Sequence, residues 1–143
     1  GPGRSIVGNS GVFVTKVLYE KVNGNKRFII VDGAMNDLIR PSLYNAYHRI
    51  EVLNDNQEFS DCNLVGPVCE SGDFFAKNVQ LPKTQHNDLV EIYSAGAYGF
   101  TMASNYNTRG RVAEIAYEKG IDRLIRKRET FEDIIALEEE FIK

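Results

Sequence analysis

The sequence predicts a mainly β domain, a Greek-key-like β-sandwich or barrel with short helices at its C-terminal end. Short stretches rich in β-branched and aromatic residues recur between residues 12 and 103. Turn signals such as Gly66-Pro67 and Ser71-Gly72 separate them. A helical apolar period occurs only after residue 111. Short strands with frequent turns favour a sandwich or barrel over parallel βαβ units.

The first elements form a predicted hairpin. Val12–Lys21 alternates in part, Asn23-Gly24 is a strong hairpin signal, and Arg27–Val31 is the returning strand. The consecutive apolar residues at 28–31 indicate burial on both faces of that strand. Three side chains of the first strand are expected to share one face: Phe13, Val17 and Tyr19.

The middle of the chain is expected to hold a short helical turn and several strands. Residues Ala34–Ile39 fit a helical turn that Pro41 ends, since proline disfavours helix in the residue before it. The strands are predicted at His48–Leu53, Asn63–Val68, Asp73–Ala76, Leu89–Tyr93 and Tyr98–Ala103.

The end of the chain is predicted to be helical. Val112–Tyr117 has an apolar period, Gly120 interrupts it, and Thr130 with Asp133 forms a capping-box variant. Residues 119–128 carry five basic side chains and 129–140 carry six acids, a pattern typical of a solvated helix face. The side chains expected on one face of the last helix are Phe131, Ile134, Ile135 and Ile142.

Composition excludes several classes of protein. The chain has 143 residues, 43% hydrophobic and 26% charged, which suits one globular domain. The net charge of −3 argues against a protein that coats nucleic acid. The sequence has no apolar run long enough for a membrane span and no start like a signal peptide, so we expect a cytoplasmic protein without a membrane partner. Cys62 and Cys69 are then expected to be reduced.

Common catalytic motifs are incomplete or missing. Residues 3–10 imitate a phosphate-binding loop, but Asn9 stands where that motif needs lysine. His48 and His86 are isolated in the sequence, and lone histidines are usually structural or exposed. We therefore assign no metal site.

Three turns carry polar residues that could form a site. Arg40–Tyr44 places an arginine and a tyrosine at a bend stiffened by proline, and Cys69–Asp73 places a thiol beside two acids. Ser94–Gly99 is rich in small residues, which lets another segment approach its backbone closely around Tyr98. Each turn alone has an ordinary reading as a surface or buried loop, since most loop residues are not functional.

Taken together and in this order, the motifs are much more specific. The chain resembles the C-terminal region of the diaminopimelate decarboxylase family, pyridoxal-phosphate enzymes of group IV whose β domain is like that of alanine racemase. The resemblance covers residues 2–117. The matching stretches are Pro2–Ser5, Val31–Tyr44, Gly66–Asp73, Gly96–Gly99 and Ala103–Asn107, followed by Glu114.

The resemblance implies a division of the chain. Residues 1–10 would be the last cofactor loop of a β/α barrel that this sequence does not contain, 11–117 the β domain, and 118–143 a helical tail. The family attaches pyridoxal 5'-phosphate to a barrel lysine, and no lysine here matches that position. The family also has glutamate before Pro-Gly-Arg, where this sequence has Gly1, which puts the loop's cofactor contacts in doubt.

The resemblance also implies a role for each site residue. Cys69 matches the proton donor, and a thiol is mostly protonated at neutral pH and can act as a general acid. Arg4 and Arg40 match residues that hold the substrate's distal carboxylate, and Glu70 matches the acceptor of its distal ammonium. Tyr44 matches a further substrate contact. Gly3, Arg4 and Tyr98 match cofactor contacts, and Tyr98 also touches substrate.

The implied activity is conversion of meso-2,6-diaminopimelate to L-lysine and CO2 by a homodimer with its site at the interface. The Cys69-Glu70 loop would reach the partner subunit's barrel. Relatives acting on ornithine, arginine or carboxynorspermidine share the architecture, but Arg40, Tyr44 and Glu70 favour diaminopimelate. A stand-alone β interaction module is the other alternative. We expect the isolated chain to be inactive and to self-associate through exposed apolar surface.

Overall fold

A β-hairpin of unequal strands begins the sheet. In a computed structural model that describes residues 1–142, a helix α1 (Gly3–Val7) and a 3-10 turn (Gly8–Ser10) lead into β1 (Phe13–Asn23) and β2 (Lys26–Val31). The predicted hairpin is confirmed, although its loop is Gly24-Asn25 instead of Asn23-Gly24. Gly24 takes a φ of +65°, the positive value that a two-residue loop with a leading glycine requires.

The next elements are α2 (Arg40–Tyr44), β3 (Ile50–Leu53), β4 (Phe59–Val65), β5 (Phe74–Pro82) and β6 (Leu89–Ile92). The six strands form one sheet in the order β3-β6-β1-β2-β4-β5. Every neighbouring pair is antiparallel except β2 with β4. The edge strands β3 and β5 approach each other, so the sheet is a nearly closed barrel. Of the two predicted architectures, the structure therefore adopts the barrel.

The interior of the barrel is apolar. Its buried side chains come from the strands and the loop after β2: Val17, Ile29, Val31, Leu38, Cys62, Leu64, Phe75, Leu81, Val90 and Ile92. The run Ile29–Val31 is buried throughout, as the sequence predicts for a strand covered on both faces. Tyr19 was expected on the same face as Phe13 and Val17, but it is 55% exposed whereas Val17 is buried, because a register shift between Val17 and Tyr19 turns the strand over.

Two predictions around residue 40 and residue 100 are wrong. Pro41 does not end a helix; it lies in the first turn of α2, where its missing N–H costs no hydrogen bond. Tyr98–Ala103 is not a strand. Tyr98 has a φ of +63°, which cannot continue a strand, and a 3-10 turn Phe100–Met102 follows it.

The predicted helical tail is mostly wrong as well. After a 3-10 turn at Tyr106–Thr108, β7 (Glu114–Glu118) and β8 (Ile121–Arg126) form a separate hairpin. Its turn, Lys119-Gly120, has positive φ at both residues. The basic block 119–128 therefore lies mostly on the exposed strand β8 and not on a helix face, and its Arg126 forms an ion pair with Glu114 of β7 (2.7 Å).

In the predicted helical tail, α-helix is described only after this hairpin. The capping box at Thr130 is confirmed at the start of α3 (Phe131–Ile134), and a 3-10 turn follows at Glu139–Phe141. Phe131 and Ile142 are 60% exposed, so they do not form a buried helix face. Among residues 1–142, no helix is both long and apolar enough to cross a bilayer.

Candidate functional site

The N-terminal segment lies against the loop that carries Tyr98. The Ala95 N–H donates to the Gly11 carbonyl (2.9 Å) and the Gly96 N–H donates to the Gly8 carbonyl (3.1 Å). A Cβ built on Gly11 would lie 2.6 Å from the Cα of Gly96, so the two backbones can meet only without side chains. The expected close approach around Tyr98 is thus confirmed, and the approaching segment is residues 7–11.

Tyr98 is held in an unusual backbone conformation beside Gly3. Its φ of +63° is rare for a bulky residue and occurs mainly where the surroundings enforce it, often at functional sites. The Tyr98 hydroxyl lies 3.3 Å from the position of a Cβ on Gly3, and its side chain is 46% exposed. The structure therefore brings Gly3, Arg4 and Tyr98 together.

Arg40 begins α2 and is held by a buried histidine. Its Nη1 lies 3.3 Å from Nε2 of His48, whose Nδ1 lies 2.8 Å from the carbonyl oxygen of Tyr93. Burial lowers the pKa of His48, and the positive charges of Arg40 and Arg4 lower it further, whereas the Tyr93 carbonyl opposes this. The effect of both charges shows that Arg4 and Arg40 lie near the same imidazole.

These two arginines have no acidic partner within residues 1–142. The ion pairs of that range involve other arginines, namely Arg27, Arg49, Arg109, Arg111 and Arg126. Tyr44, at the end of α2, is 61% exposed. Its side chain makes no hydrogen bond within residues 1–142. Arg4, Arg40 and Tyr44 thus present two positive charges and an aromatic ring to the surface, where an anion would be attracted.

The loop that carries Cys69 and Glu70 is braced by a buried aspartate. Asp73 accepts hydrogen bonds from the Met35 N–H (2.7 Å) and the Val68 N–H (2.8 Å), which ties the loop to the segment after β2. Burial raises the pKa of Asp73, although both N–H groups favour its ionised form. Both Cys69 and Glu70 remain exposed on the braced loop.

Glu70 is oriented on both of its carboxylate oxygens. The Gly72 N–H donates to Oε1 (3.1 Å) and the Tyr106 hydroxyl donates to Oε2 (3.1 Å). These two hydrogen bonds fix the orientation of the Glu70 carboxylate. They also lower its pKa, so the group stays ionised at neutral pH. Each oxygen keeps a further lone pair for a cationic ligand.

Three residues that support the site, Tyr106, His48 and Asp73, have no role that their sequence pattern predicts. Tyr106 lies in the matching stretch Ala103–Asn107, which was the only signal available for it. His48 and Asp73 act through partners that are distant in sequence, or through backbone groups, and no local pattern reveals such partners.

The two cysteines differ in environment, and both are free thiols. Cys62 is a core residue of β4, and burial raises the pKa of its thiol. Cys69 is exposed and can reach a proton acceptor outside the domain. The structure therefore leaves Cys69 as the thiol available for chemistry.

The site residues fall into two groups. The first, which we call the arginine group, holds Gly3, Arg4, Arg40, Tyr44 and Tyr98. The second, the Cys69-Glu70 loop, is joined to it by packing of the Ser42 hydroxyl against Gly72, 3.2 Å from the position of a Cβ there. No hydrogen bond or ion pair within residues 1–142 links a side chain of one group to a side chain of the other.

Within residues 1–142, most side chains of both groups are exposed. Two shallow concavities lie elsewhere, one lined by Asn54, Lys83 and Asp88 and the other by Arg27, Asp61 and Cys62, among others. No predicted site residue lines either of them. The two groups are open surfaces that other parts of a protein could cover.

Comparison with known proteins shows that the chain is similar to diaminopimelate decarboxylases. A diaminopimelate decarboxylase from Campylobacter jejuni is 62% identical over 142 residues, which are 99% of this chain and 35% of that protein. One from Aquifex aeolicus is 50% identical over 94% of this chain and 32% of its own length. The crystal structure of diaminopimelate decarboxylase from Helicobacter pylori complexed with L-lysine has a TM-score of 0.91 and 52% identity, covering 97% of this chain and 34% of that one.

The chain spans about a third of the length of these relatives. Residues 6–96 match the family described as pyridoxal-dependent decarboxylase, C-terminal sheet domain. That range contains the barrel strands, α2 and the Cys69-Glu70 loop. The chain therefore belongs to the family of pyridoxal-dependent decarboxylase C-terminal sheet domains.

Proposed function

We propose that this chain supplies the substrate-binding and proton-donating side chains of a diaminopimelate decarboxylase, which converts meso-2,6-diaminopimelate to L-lysine and CO2. The observation that carries the proposal is the set of charges left without partners of opposite sign. Among residues 1–142, Arg4 and Arg40 have no acidic partner, and Glu70 has no basic partner. The distal end of diaminopimelate carries one carboxylate and one ammonium, which complement these charges.

The arginine group fits pyridoxal 5'-phosphate at its edge. Gly3 leaves backbone uncovered beside the Tyr98 hydroxyl, and Arg4 offers a cation without an acid partner, which suits a phosphate. Gly3, Arg4 and Tyr98 would hold the cofactor there. When bound, pyridoxal phosphate supplies an electron sink for the electron pair that loss of CO2 leaves at the α-carbon.

Cys69 would deliver the proton that the α-carbon needs after CO2 leaves. The S–H bond of Cys69 breaks, a C–H bond forms at the α-carbon, and the thiolate then recovers a proton from solvent. Its exposure on a loop braced by Asp73 supports this role, because an exposed thiol can reach a substrate held by another part of the protein.

We also propose a homodimer in which the Cys69-Glu70 loop completes the partner subunit's site. The exposure of the Cys69-Glu70 loop, together with the lack of a side-chain hydrogen bond between the two groups within residues 1–142, supports this arrangement. The exposed apolar side chains around α1, α2 and the final hairpin would be covered by the barrel or the partner; they include Ile6, Tyr47, Ile115 and Tyr117. We expect this enzyme in the cytoplasm, with no nucleic-acid or membrane partner.

The test uses the complete product of the reading frame that contains this chain, supplied with pyridoxal phosphate. We expect L-lysine and CO2 from meso-diaminopimelate, at least about 100-fold faster than amine formation from ornithine, arginine or carboxynorspermidine. Preference for one of those substrates would assign a related decarboxylase. The absence of any decarboxylation would favour an interaction module.

A chimera gives a second measurement. This chain would replace the matching 35% of the Campylobacter jejuni diaminopimelate decarboxylase. We expect the chimera to keep decarboxylase activity and this chain alone to have none. A folded chimera that binds cofactor but forms no lysine would contradict the proposal.

A further inference from the structure

His48 is a buried side chain that uses both of its ring nitrogens. It is 4% exposed and lies just before β3, where the sheet ladder between β3 and β6 ends. The last backbone bond of that ladder runs from the Tyr93 N–H to the Arg49 carbonyl (2.9 Å). The carbonyl of Tyr93 is then free to accept from Nδ1 of His48 (2.8 Å).

These contacts determine the tautomer of the imidazole. A carbonyl oxygen can only accept, so Nδ1 of His48 carries the hydrogen. A guanidinium can only donate, so Nε2 is the bare nitrogen and accepts from Nη1 of Arg40 (3.3 Å). The imidazole is therefore neutral, in agreement with the lowering of its pKa by burial and by the nearby arginines.

A neutral acceptor orients the guanidinium of Arg40 without reducing its positive charge. A carboxylate in this place would orient the guanidinium and also cancel its charge, as Glu20 does for Arg27 (2.6 Å). The imidazole uses one of the five N–H donors and leaves the positive charge and the other donors free for a ligand.

We propose that His48 is a positioning residue that aims the Arg40 guanidinium at the distal carboxylate of the substrate without neutralising it. This inference rests on the proposed function, because it takes Arg40 as a carboxylate ligand. Its consequence is that binding of the amino-acid end of substrate and product depends on Nε2 of His48, whereas decarboxylation chemistry does not.

Two substitutions separate the roles of the two ring nitrogens. His48→Gln places an amide oxygen near the position of Nε2 and keeps an acceptor for Arg40. His48→Asn places its amide near Nδ1, so it keeps the donor to Tyr93 and loses the contact with Arg40. We measure KM and kcat for meso-diaminopimelate and the Kd of L-lysine, which retains the distal carboxylate, in the complete protein.

We expect His48→Asn to raise KM and the L-lysine Kd roughly 10-fold with kcat within about twofold, because a misplaced clamp loses binding. We expect His48→Gln to stay within about threefold of the unmodified protein. Equal effects of both variants, together with equal losses of thermal stability, would mean a purely structural role and overturn the inference. Unchanged KM and Kd in His48→Asn would also overturn it.

Arg40→Ala distinguishes this inference from the proposed function. If that variant binds L-lysine as tightly as the unmodified protein does, Arg40 is not a carboxylate ligand, and both proposals fail. If Arg40→Ala weakens binding strongly while His48→Asn does not, the proposed function stands and the positioning role fails.

Discussion

The strands of the barrel and the surface segments that connect them use the same residue types in opposite ways. Arg27, in β2, is saturated: it forms an ion pair with Glu20 (2.6 Å) and donates to the carbonyls of Leu81 and Pro82. Arg40, on the surface, has one neutral partner in His48. Cys62 and Cys69 differ in the same way, since one lies in the core and the other is exposed.

This comparison shows which charges the fold needs and which it leaves over. The Arg27 side chain is 11% exposed, and every strong acceptor around it belongs to this chain, so its interactions stabilise the barrel. Arg4 and Arg40 contribute no ion pair to the fold. Charges that a fold leaves unpaired are available for a ligand, and the following substitutions test this division.

The largest effect is expected for the two thiols. Cys69→Ala should lower kcat roughly 10²- to 10⁴-fold, the range for loss of a general acid, while substrate affinity changes little. The matched control is Cys62→Ala, which should keep kcat and lower the free energy of unfolding by roughly 1 kcal/mol through loss of buried volume. Steady-state kinetics and urea unfolding measure both. An active Cys69→Ala enzyme would remove this residue from the mechanism.

The second largest effects are expected for Arg40 and Arg27, and they should fall on different quantities. Arg40→Ala should raise KM for diaminopimelate roughly 100-fold, since a charged hydrogen bond to the carboxylate is lost, and should lower the unfolding free energy by only about 1 kcal/mol, because Nε2 of the buried His48 loses its partner. Arg27→Ala should leave KM unchanged and lower the unfolding free energy by roughly 1–3 kcal/mol, because it strands Glu20. The division between fold and ligand would be wrong if the two variants exchanged these phenotypes.

Glu20, the acid in the ion pair with Arg27, should affect the pH dependence of stability. Burial alone would raise the pKa of Glu20, but hydrogen bonds from Arg27 and Thr84 outweigh it and hold the pKa below its usual 4.5. A lowered pKa in the folded state adds stability above pH 4.5 that is lost as the pH falls through the folded value.

We therefore expect the unfolding free energy to fall between pH 5 and pH 3, and to fall less steeply in Glu20→Gln, which cannot titrate there. Urea unfolding at a series of pH values gives the comparison. Equal slopes in the two proteins would show that Glu20 does not contribute to the acid sensitivity.

The smallest effect is expected at Tyr106. Tyr106→Phe removes the hydroxyl that donates to Oε2 of Glu70 but keeps the Gly72 N–H on Oε1. Because this contact is exposed, KM should rise only about two- to fivefold, with kcat unchanged. Glu70→Gln serves as the upper limit, since it removes the carboxylate charge itself. A Tyr106→Phe effect as large as that of Glu70→Gln would mean that Tyr106 touches substrate directly.

Local patterns in the sequence predicted much of the first half of the fold. The hairpin of β1 and β2 and the buried run Ile29–Val31 follow from turn chemistry and from consecutive apolar residues. Predictions failed where one pattern permits two structures. Val112–Tyr117 fits a helical period and a strand alternation equally, and the turn Lys119-Gly120 decides for a hairpin.

The candidate site, like the fold, could be predicted from the sequence only in part. The small residues around Tyr98 predicted that another segment approaches this loop, and the structure shows that residues 7–11 do so. The motifs could not reveal that His48 holds Arg40, or that Tyr106 reaches Glu70 across 36 residues of sequence. Each partnership depends on which loops become neighbours after the strands pair.

The sequence by itself determined the β-rich class, the first hairpin, the capping box at Thr130 and the segments that carry the site. The tertiary structure alone decided that the sheet closes as a barrel through the parallel pair of β2 and β4, and that Arg4 and Arg40 have no acidic partner among residues 1–142. The physical reason is the distance along the sequence over which each kind of interaction acts. Turns, caps and side-chain periods act over a few residues, whereas strand order and charge pairing depend on burial shared between distant segments.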